Sequence, residues 1–511
     1  MDGAKALPHV VIVGGGISGL AAAFFLRDQP VRVTVLEGSP RLGGKLSVSE
    51  IGGVAVDEGA EALLVTRPEG TGLIADAGLS GLRVEPGTTA AAIWTSAALR
   101  PLPRRHFMGV PSDMAELGMS GVLSAEGVAR AGQDLELPPT PRAGDVPVAR
   151  YVAARLGQEV VDRLVDPLLG GVYAGRAAEL SFDATLPTLA AAARRHRSLA
   201  EAARSLLDAP RQARPSQAAP GQTVPGQTVP ARTAPGQGGV RAGGQVFTTL
   251  VGGLGTLPAF VAKSSGAAVR TGSMARELSR TGRRWRITVG SAAAAEHIDA
   301  DAVILAVPAR PAARLLAGVP GAAGVAALGE FSYASMAIVT LGYPRSAFPG
   351  GGLAARGLSG YLVPAVDGRA VKAVTFSTVK WPHLVGPTAR SDDGILEIVR
   401  CSAGRIGEEA LLQRADEDLV AVAAAELAEA TGVRGAPAVS RVSRWGGALP
   451  QYAVGHLDRV ARIRAAIASQ PGLAVCGAAY DGIGIPACVA TAQAAAGQVM
   501  TYLRGREPAP R

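Results

Sequence analysis

Residues 9–28, HVVIVGGGISGLAAAFFLRD, leave this chain few ways to fold. His9–Val13 is a short apolar run that reads as a buried strand, and Ile17–Arg27 reads as the helix that follows it. Between them stands Gly14-x-Gly16-x-x-Gly19, and a second strand-like run from Val31 ends in Glu37, eighteen residues beyond Gly19. Together these form the fingerprint of a dinucleotide-binding βαβ unit. Gly14 allows the tight turn and Gly16 lets backbone approach a pyrophosphate. Gly19 allows close helix–strand packing, and Glu37 is suited to accept from ribose hydroxyls. The fingerprint alone does not distinguish NAD from FAD. A second glycine-rich stretch, VGGLGTL at 251–257, lacks the spacing and the acidic partner. One dinucleotide site is therefore expected and none for NADPH, which disfavours two-nucleotide reductases and monooxygenases and points to an oxidase or desaturase.

A chain of 511 residues is too long for one ordinary core, so two or three subdomains are expected. Its net charge of +9 rests on arginine, with only five lysines. High-GC coding bias explains that excess, and an anionic substrate or membrane surface is the alternative. No dense basic run with interleaved aromatics occurs, which argues against nucleic-acid binding. Three cysteines without a CxxC pair fit a reducing cytoplasm rather than a disulfide framework. Val10–Leu26 is uncharged but holds four glycines and a serine, and Asp2 with Lys5 makes a poor n-region, so no signal peptide or transmembrane span is expected.

Along the chain, 1–87 reads as the first part of the nucleotide domain and 88–210 as a helical, channel-forming region. Residues 211–245, where PGQTV repeats back to back, read as a disordered or surface loop. Segments 246–310 and 441–511 return to the nucleotide domain, and 311–440 reads as a sheet that roofs a substrate cavity. Apolar residues at Val148, Val152, Leu156, Val160, Leu164 and Leu168 predict one helical run. Near the end, CGAAYDGIGIPACVATAQAAAGQV (476–499) reads as a strand end, a glycine loop and a helix with proline in its first turn. The free N–H groups of that helix would suit an electron-rich ring edge. Cys476 and Cys488 read as small apolar residues rather than a redox dithiol.

Past Glu37, GSPRLGGKLSV (38–48) resembles the flavin amine-oxidase superfamily, and GVAVDEGAEALL (53–64) resembles its next flavin-contacting segment. Within that superfamily, GxAYxGxGIPxCVAxA resembles the bacterial coproporphyrinogen III/protoporphyrinogen oxidases. So do DPLLGGVYAGRAAELSFDATLP (166–187), VFTTLVGGLGTLPAFV (246–261) and RWGGALPQYAVGH (444–456). The resemblance implies an α/β fold in which a Rossmann-like FAD domain, of the p-hydroxybenzoate hydroxylase/monoamine oxidase type, is interrupted by a mixed-sheet substrate domain and a helical domain. It also implies FAD as cofactor.

Carried over residue by residue, the family's FAD contacts begin with Gly14, Gly15, Gly16, Ile17, Ser18 and Gly19. They continue with Glu37, Gly38, Arg41, Gly44 and Lys45, then Gly59, Ala60 and Glu61. Met274, where relatives often have valine, Trp445, Gly477, Ile483, Gly484 and Ile485 complete the set. Asp57 and Glu58 read as structural turn residues. Gly171, Val172 and Tyr173 are implied as substrate wall, and no catalytic acid or base is implied. Arg104-Arg105-His106, where relatives carry a glycine, either meets propionates or forms a solvated bend.

The implied reaction is oxygen-dependent, six-electron aromatisation of coproporphyrinogen III in haem biosynthesis, forming peroxide, in the cytoplasm and with transient contact to ferrochelatase. Protoporphyrinogen IX is the alternative substrate. An amine oxidase, a carotenoid-type desaturase and a non-catalytic flavoprotein are more remote.

Overall fold

Three stretches far apart in sequence build the sheet that the opening motif requires. In the computed structural model, which describes residues 6–142, 144–209, 246–320, 323–385, 390–391 and 394–506, these stretches form five parallel strands. Their spatial order is Ala268–Arg270, Arg32–Leu36, His9–Val13, Ala302–Leu305 and Leu473–Val475. Side chains alternate across a strand. Val10 and Ile12 therefore pack on the helices Ile17–Phe25, Leu257–Ser265 and Ile485–Arg504, while Val11 and Val13 pack with Trp285, Leu315 and Ile463. Both faces are covered, which is why His9–Val13 is buried throughout. The crossover from 268–270 to 302–305 is a three-stranded antiparallel meander, Ala275–Thr281, Arg284–Ser291 and Ala294–Ala300.

A second, eight-stranded sheet is mixed. Tyr333–Pro344 lies between Val439–Pro450 and Gly394–Ala403, antiparallel to both. Val371–Phe376, Gly360–Leu362, Ala91–Thr95 and Ala98–Pro101 extend it, and the short Arg390–Ser391 pairs with Gly394–Ala403 as the eighth strand. Helix Asp416–Thr431 covers one face, its Leu419, Ala423 and Leu427 clustering with Val339, Leu341 and Cys401. The intervening residues of the same strands face the other way: Ile338, Thr375 and Arg400 line a cavity, and Leu396 and Ile398 pack on the hairpin Val48–Ile51 and Val54–Asp57.

The helical region has its own core, built from Val152, Leu156, Leu164, Leu169, Phe182 and Leu189 among others. The single run expected from 148 onward is broken. Gly157 adopts φ 91°, which ends the helix Val148–Leu156, and a π-helical turn at Val161–Val165 precedes Asp166–Tyr173. The apolar periodicity continues across a backbone that does not, because glycine reaches this conformation without Cβ strain. The low-complexity stretch 211–245 lies outside the described residues. Among the described residues no helix is long and apolar enough to cross a membrane.

One buried ion pair organises this region. Arg155 and Asp134, 1% and 0% exposed, meet at 2.5 Å, and Arg155 also donates to the carbonyls of Asp134, Pro138 and Arg197. Asp134 in turn accepts from Ser198 Oγ and Ala200 N, the first turn of helix Leu199–Asp208. Replacing Arg155 with alanine leaves a buried, uncompensated carboxylate. Thermal or denaturant melts should show a loss of about 3–5 kcal/mol.

Candidate active site

The carboxyl ends of the nucleotide strands open onto a cavity of about 1180 Å³. Gly14 N donates to Leu36 O at 2.8 Å and turns the chain with φ 114°. A Cβ at Gly14 would stand 2.5 Å from Ala306 O, and one at Gly19 would stand 1.9 Å from Gly14 O. Only glycine permits that approach of helix to strands. A Cβ at Gly16 would meet nothing within 4 Å, so this turn presents bare backbone to the cavity.

Two helices aim their N-termini into this one space. Ile17–Phe25 begins after Gly16 and Ile485–Arg504 after Gly484, neither with a side-chain cap, and both first turns line the cavity. Their free N–H groups and positive dipole ends favour anionic groups. Lys45 lines the same space. Burial lowers its pKa, and no carboxylate pairs with it among the described residues. Uncapped helix ends, bare glycine backbone and an unpaired ammonium fit a diphosphate, while the small apolar surface of Ala478, Ile483 and Ile485 fits a flat ring.

Glu37 is already engaged, accepting from Gly15 N and Ser39 N, each at 2.7 Å, and it still lines the cavity. Gly15, Gly19 and Arg41 do not line it. Arg41 instead braces the following loop by donating to Gly44 O at 2.8 Å and Leu42 O at 3.2 Å. Gly38, Gly44, Gly59, Ala60 and Met274 do line it, Met274 half-exposed and packed over Gly38. Trp445 does as well, tethered through Nε1 to Glu58 O at 2.9 Å. Gly477, Ile483, Gly484 and Ile485 close one side.

Gly171 and Val172 form part of the far wall, but the buried Tyr173 ring turns away to lie 5.7 Å from Tyr452. Arg104, Arg105 and His106 do not line the cavity. Arg105 pairs with Asp208 at the surface, and His106 Nδ1 accepts from Gly109 N. Asp57 is buried against the glycine turn at 253–255, accepting from Leu254 N and Gly255 N. Burial raises its pKa to about 6 in spite of those bonds. Cys401, Cys476 and Cys488 are free and buried, and burial pushes each thiol pKa up, so all three stay protonated.

The roof comes from residues that sequence reading did not single out: Met336, Ile338, Ala373, Thr375, Arg400 and Ser402. Their signal is the two-residue alternation of three paired strands, with Thr375 opposite Arg400 and Ala373 opposite Ser402. Arg400 binds the turn beneath, donating to Gly59 O at 2.7 Å and pairing with Glu61. Lys380 meets the other Glu61 oxygen at 2.6 Å. Burial alone would raise the Glu61 pKa, but these two cations overcome it and hold the carboxyl down to about 2.

A sequence profile of the flavin-containing amine oxidoreductases matches residues 17–500. The chain belongs to that family. It is 38% identical over 502 residues to a Mycobacterium bovis protein named coproporphyrinogen III oxidase, covering 96% of this chain and 97% of the relative. A Bacillus subtilis protein of the same name is 31% identical, covering 98% and 99%. A crystal structure from Exiguobacterium, provisionally described as a protoporphyrinogen oxidase, matches with TM-score 0.78 at 27% identity, covering 97% of this chain and 99% of that one. Within the family the chain falls with the bacterial coproporphyrinogen III and protoporphyrinogen oxidases, and its cofactor is FAD.

The Glu61 trio has a pH signature. A carboxyl at about 2 in the folded state and 4.5 unfolded contributes stability that is complete above pH 4.5 and lost as pH falls toward 2. That contribution is ~3 kcal/mol. Glu61→Gln leaves Lys380 and Arg400 without their counter-charge and should cost about 3–5 kcal/mol at neutral pH. Denaturant melts from pH 7 to pH 3 should show the variant losing less stability on acidification than the parent.

Proposed function

We propose that the protein is an FAD-dependent coproporphyrinogen III oxidase, converting the porphyrinogen to coproporphyrin III in three two-electron steps with oxygen as final acceptor and peroxide as product. The observation that carries this reading is the single cavity joining two uncapped helix N-termini to a wall and roof of mostly apolar residues. Its volume of about 1180 Å³ exceeds the roughly 300–1,000 Å³ of ordinary ligand pockets, which leaves room for a second molecule beside the cofactor. The names of the full-length relatives supply the substrate class.

In this reading Gly16, Ile17 and Ser18 hold the diphosphate with backbone N–H groups, Gly14, whose own N–H is taken by Leu36 O, turns the chain beneath it, and Lys45 adds a positive charge to the same space. Glu37, after its two backbone bonds, keeps acceptor capacity for a ribose. Gly44, the turn Gly59–Glu61, Trp445 and the segment Ile483–Ile485 flank the ring, and Gly38 with Met274 covers the nucleotide end. Gly15, Gly19 and Arg41 act indirectly by shaping these backbones. Bound FAD supplies the hydride acceptor. The chain's residues orient the tetrapyrrole between the Gly171–Val172 wall and the roof of Met336, Ile338 and Thr375, and exclude water from the reacting face. Aromatisation supplies the driving force, so positioning matters more than a strong acid or base, and no residue is assigned as general base.

Three buried free cysteines support a reducing, cytoplasmic setting, and transient transfer of product to a ferrochelatase belongs to the same proposal. Protoporphyrinogen IX is the second reading, motivated by the structural likeness to the Exiguobacterium protein. The test is aerobic porphyrin fluorescence from purified holoprotein, given each porphyrinogen separately without detergent. Much faster coproporphyrin formation is expected. Equal or faster protoporphyrin formation moves the assignment to the second substrate, and turnover of neither refutes both.

A further inference from the structure

The motif PQYAVGH (450–456) follows the strand Val439–Pro450, and its polar side chains do not line the cavity. They are nonetheless buried: Gln451 is 5%, Tyr452 2% and His456 0% exposed. Tyr452 reaches the glycine loop at two points. Its hydroxyl donates to Ala478 O and accepts from Gly482 N, both at 2.7 Å. The His456 ring stacks on Tyr452, with centroids 3.7 Å apart and 18° between planes, and its Nε2 lies 3.0 Å from Tyr480 O. A carbonyl only accepts, so Nε2 carries the proton. Burial lowers the His456 pKa to about 4, which keeps the ring neutral near pH 7.

The loop needs such support. Gly477 and Gly482 adopt φ 128° and 140°. Among the described residues, backbone within 477–483 bonds to itself through Tyr480 N and Gly477 O at 3.4 Å. One residue earlier in the motif, Gln451 Nε2 donates to Tyr173 O at 2.8 Å. A Cβ at Gly175 would stand 2.1 Å from Gln451 Oε1, so this side chain also occupies the space beneath that turn. One short segment therefore grips both the loop that borders the ring end of the cavity and the backbone that follows Gly171 and Val172.

We infer that Gln451, Tyr452 and His456 are positioning residues, with Tyr452 and His456 holding the loop 477–484 at three backbone points and Gln451 setting the Gly171–Tyr173 wall. The substrate half of this inference rests on the function proposed above; the cofactor half does not.

The test uses full-length holoprotein. Tyr452→Phe keeps the ring and its stacking but removes both hydroxyl bonds. The FAD dissociation constant, read from flavin fluorescence, should rise about tenfold or more, and the visible flavin band should shift, while far-ultraviolet circular dichroism stays close to the parent. Tyr151→Phe, at a buried tyrosine packed on Phe182 in the helical region, should move neither flavin reading. A Tyr452→Phe dissociation constant within twofold of the parent, with an unshifted band, overturns the cofactor half. If Tyr452→Phe does not fold, His456→Phe decides: it should raise the dissociation constant about threefold, and no rise overturns the role. Gln451→Leu should raise KM for coproporphyrinogen with FAD affinity unchanged, and an unchanged KM overturns the wall half. If the parent oxidises neither porphyrinogen, the functional reading fails while the FAD measurements still decide the clamp.

Discussion

The nucleotide sheet and the cavity at its mouth are arranged around one close backbone approach, that of Gly19 to Gly14 O. Any side chain at position 19 would drive the helix Ile17–Phe25 off the strand ends, and any at Gly14 would meet Ala306 O. Because the helix lies so near, its free N–H groups stand at the mouth of the sheet instead of being covered by loop. The buried faces around it are filled by small and branched residues, Ala21, Ala22, Val10 and Ile12, which tolerate that spacing. Packing at this density makes even small increases in side-chain volume costly.

Charge is distributed in the same economical way. The cavity receives positive potential from two helix termini and from Lys45, while near the roof Lys380 and Arg400 share one counter-charge within the protein, Glu61. Arg400 thereby joins the mixed sheet to the turn at Gly59. The roof is tied to the turn Gly59–Glu61 through a paired, hydrogen-bonded charge, which fixes where the mixed sheet sits over that turn. A roof set by apolar contact alone would be less specific in register, since dispersion is non-directional.

The nucleotide half was largely legible in the sequence because its constraints are local. His9–Val13 is observed as read, the helix at 17–25 ends within two residues of the position expected, and the helix 485–504 has proline in its first turn as expected. Those elements are marked by glycine spacing, a terminal acid and proline in a first turn, each of which acts over one turn of chain. Legibility failed where the deciding contact is distant. Alternation in 336–338 or 400–402 shows two faces but does not say which one meets the cavity; that depends on helix Asp416–Thr431 covering the other. Tyr173 sits beside the wall in sequence, but its ring is claimed by Tyr452, 279 positions away. The break at Gly157 was hidden because the apolar pattern resumes on the same face after it. Arg105 looked available to an anion until Asp208 was brought beside it.

The discontinuity of the nucleotide sheet has a consequence for how the protein is made. Strand Leu473–Val475 and the helix that follows are the last parts of this layer to leave the ribosome, yet the loop and first turn between and after them complete one side of the cavity. During vectorial synthesis the first strands and their glycine turn emerge early with nothing to close over them, and the helical region folds on local contacts in the interval. That side of the cavity is therefore assembled only once residues 473–504 have been made, and a product truncated before them retains the fingerprint of a nucleotide-binding protein without the wall that encloses the space beside it.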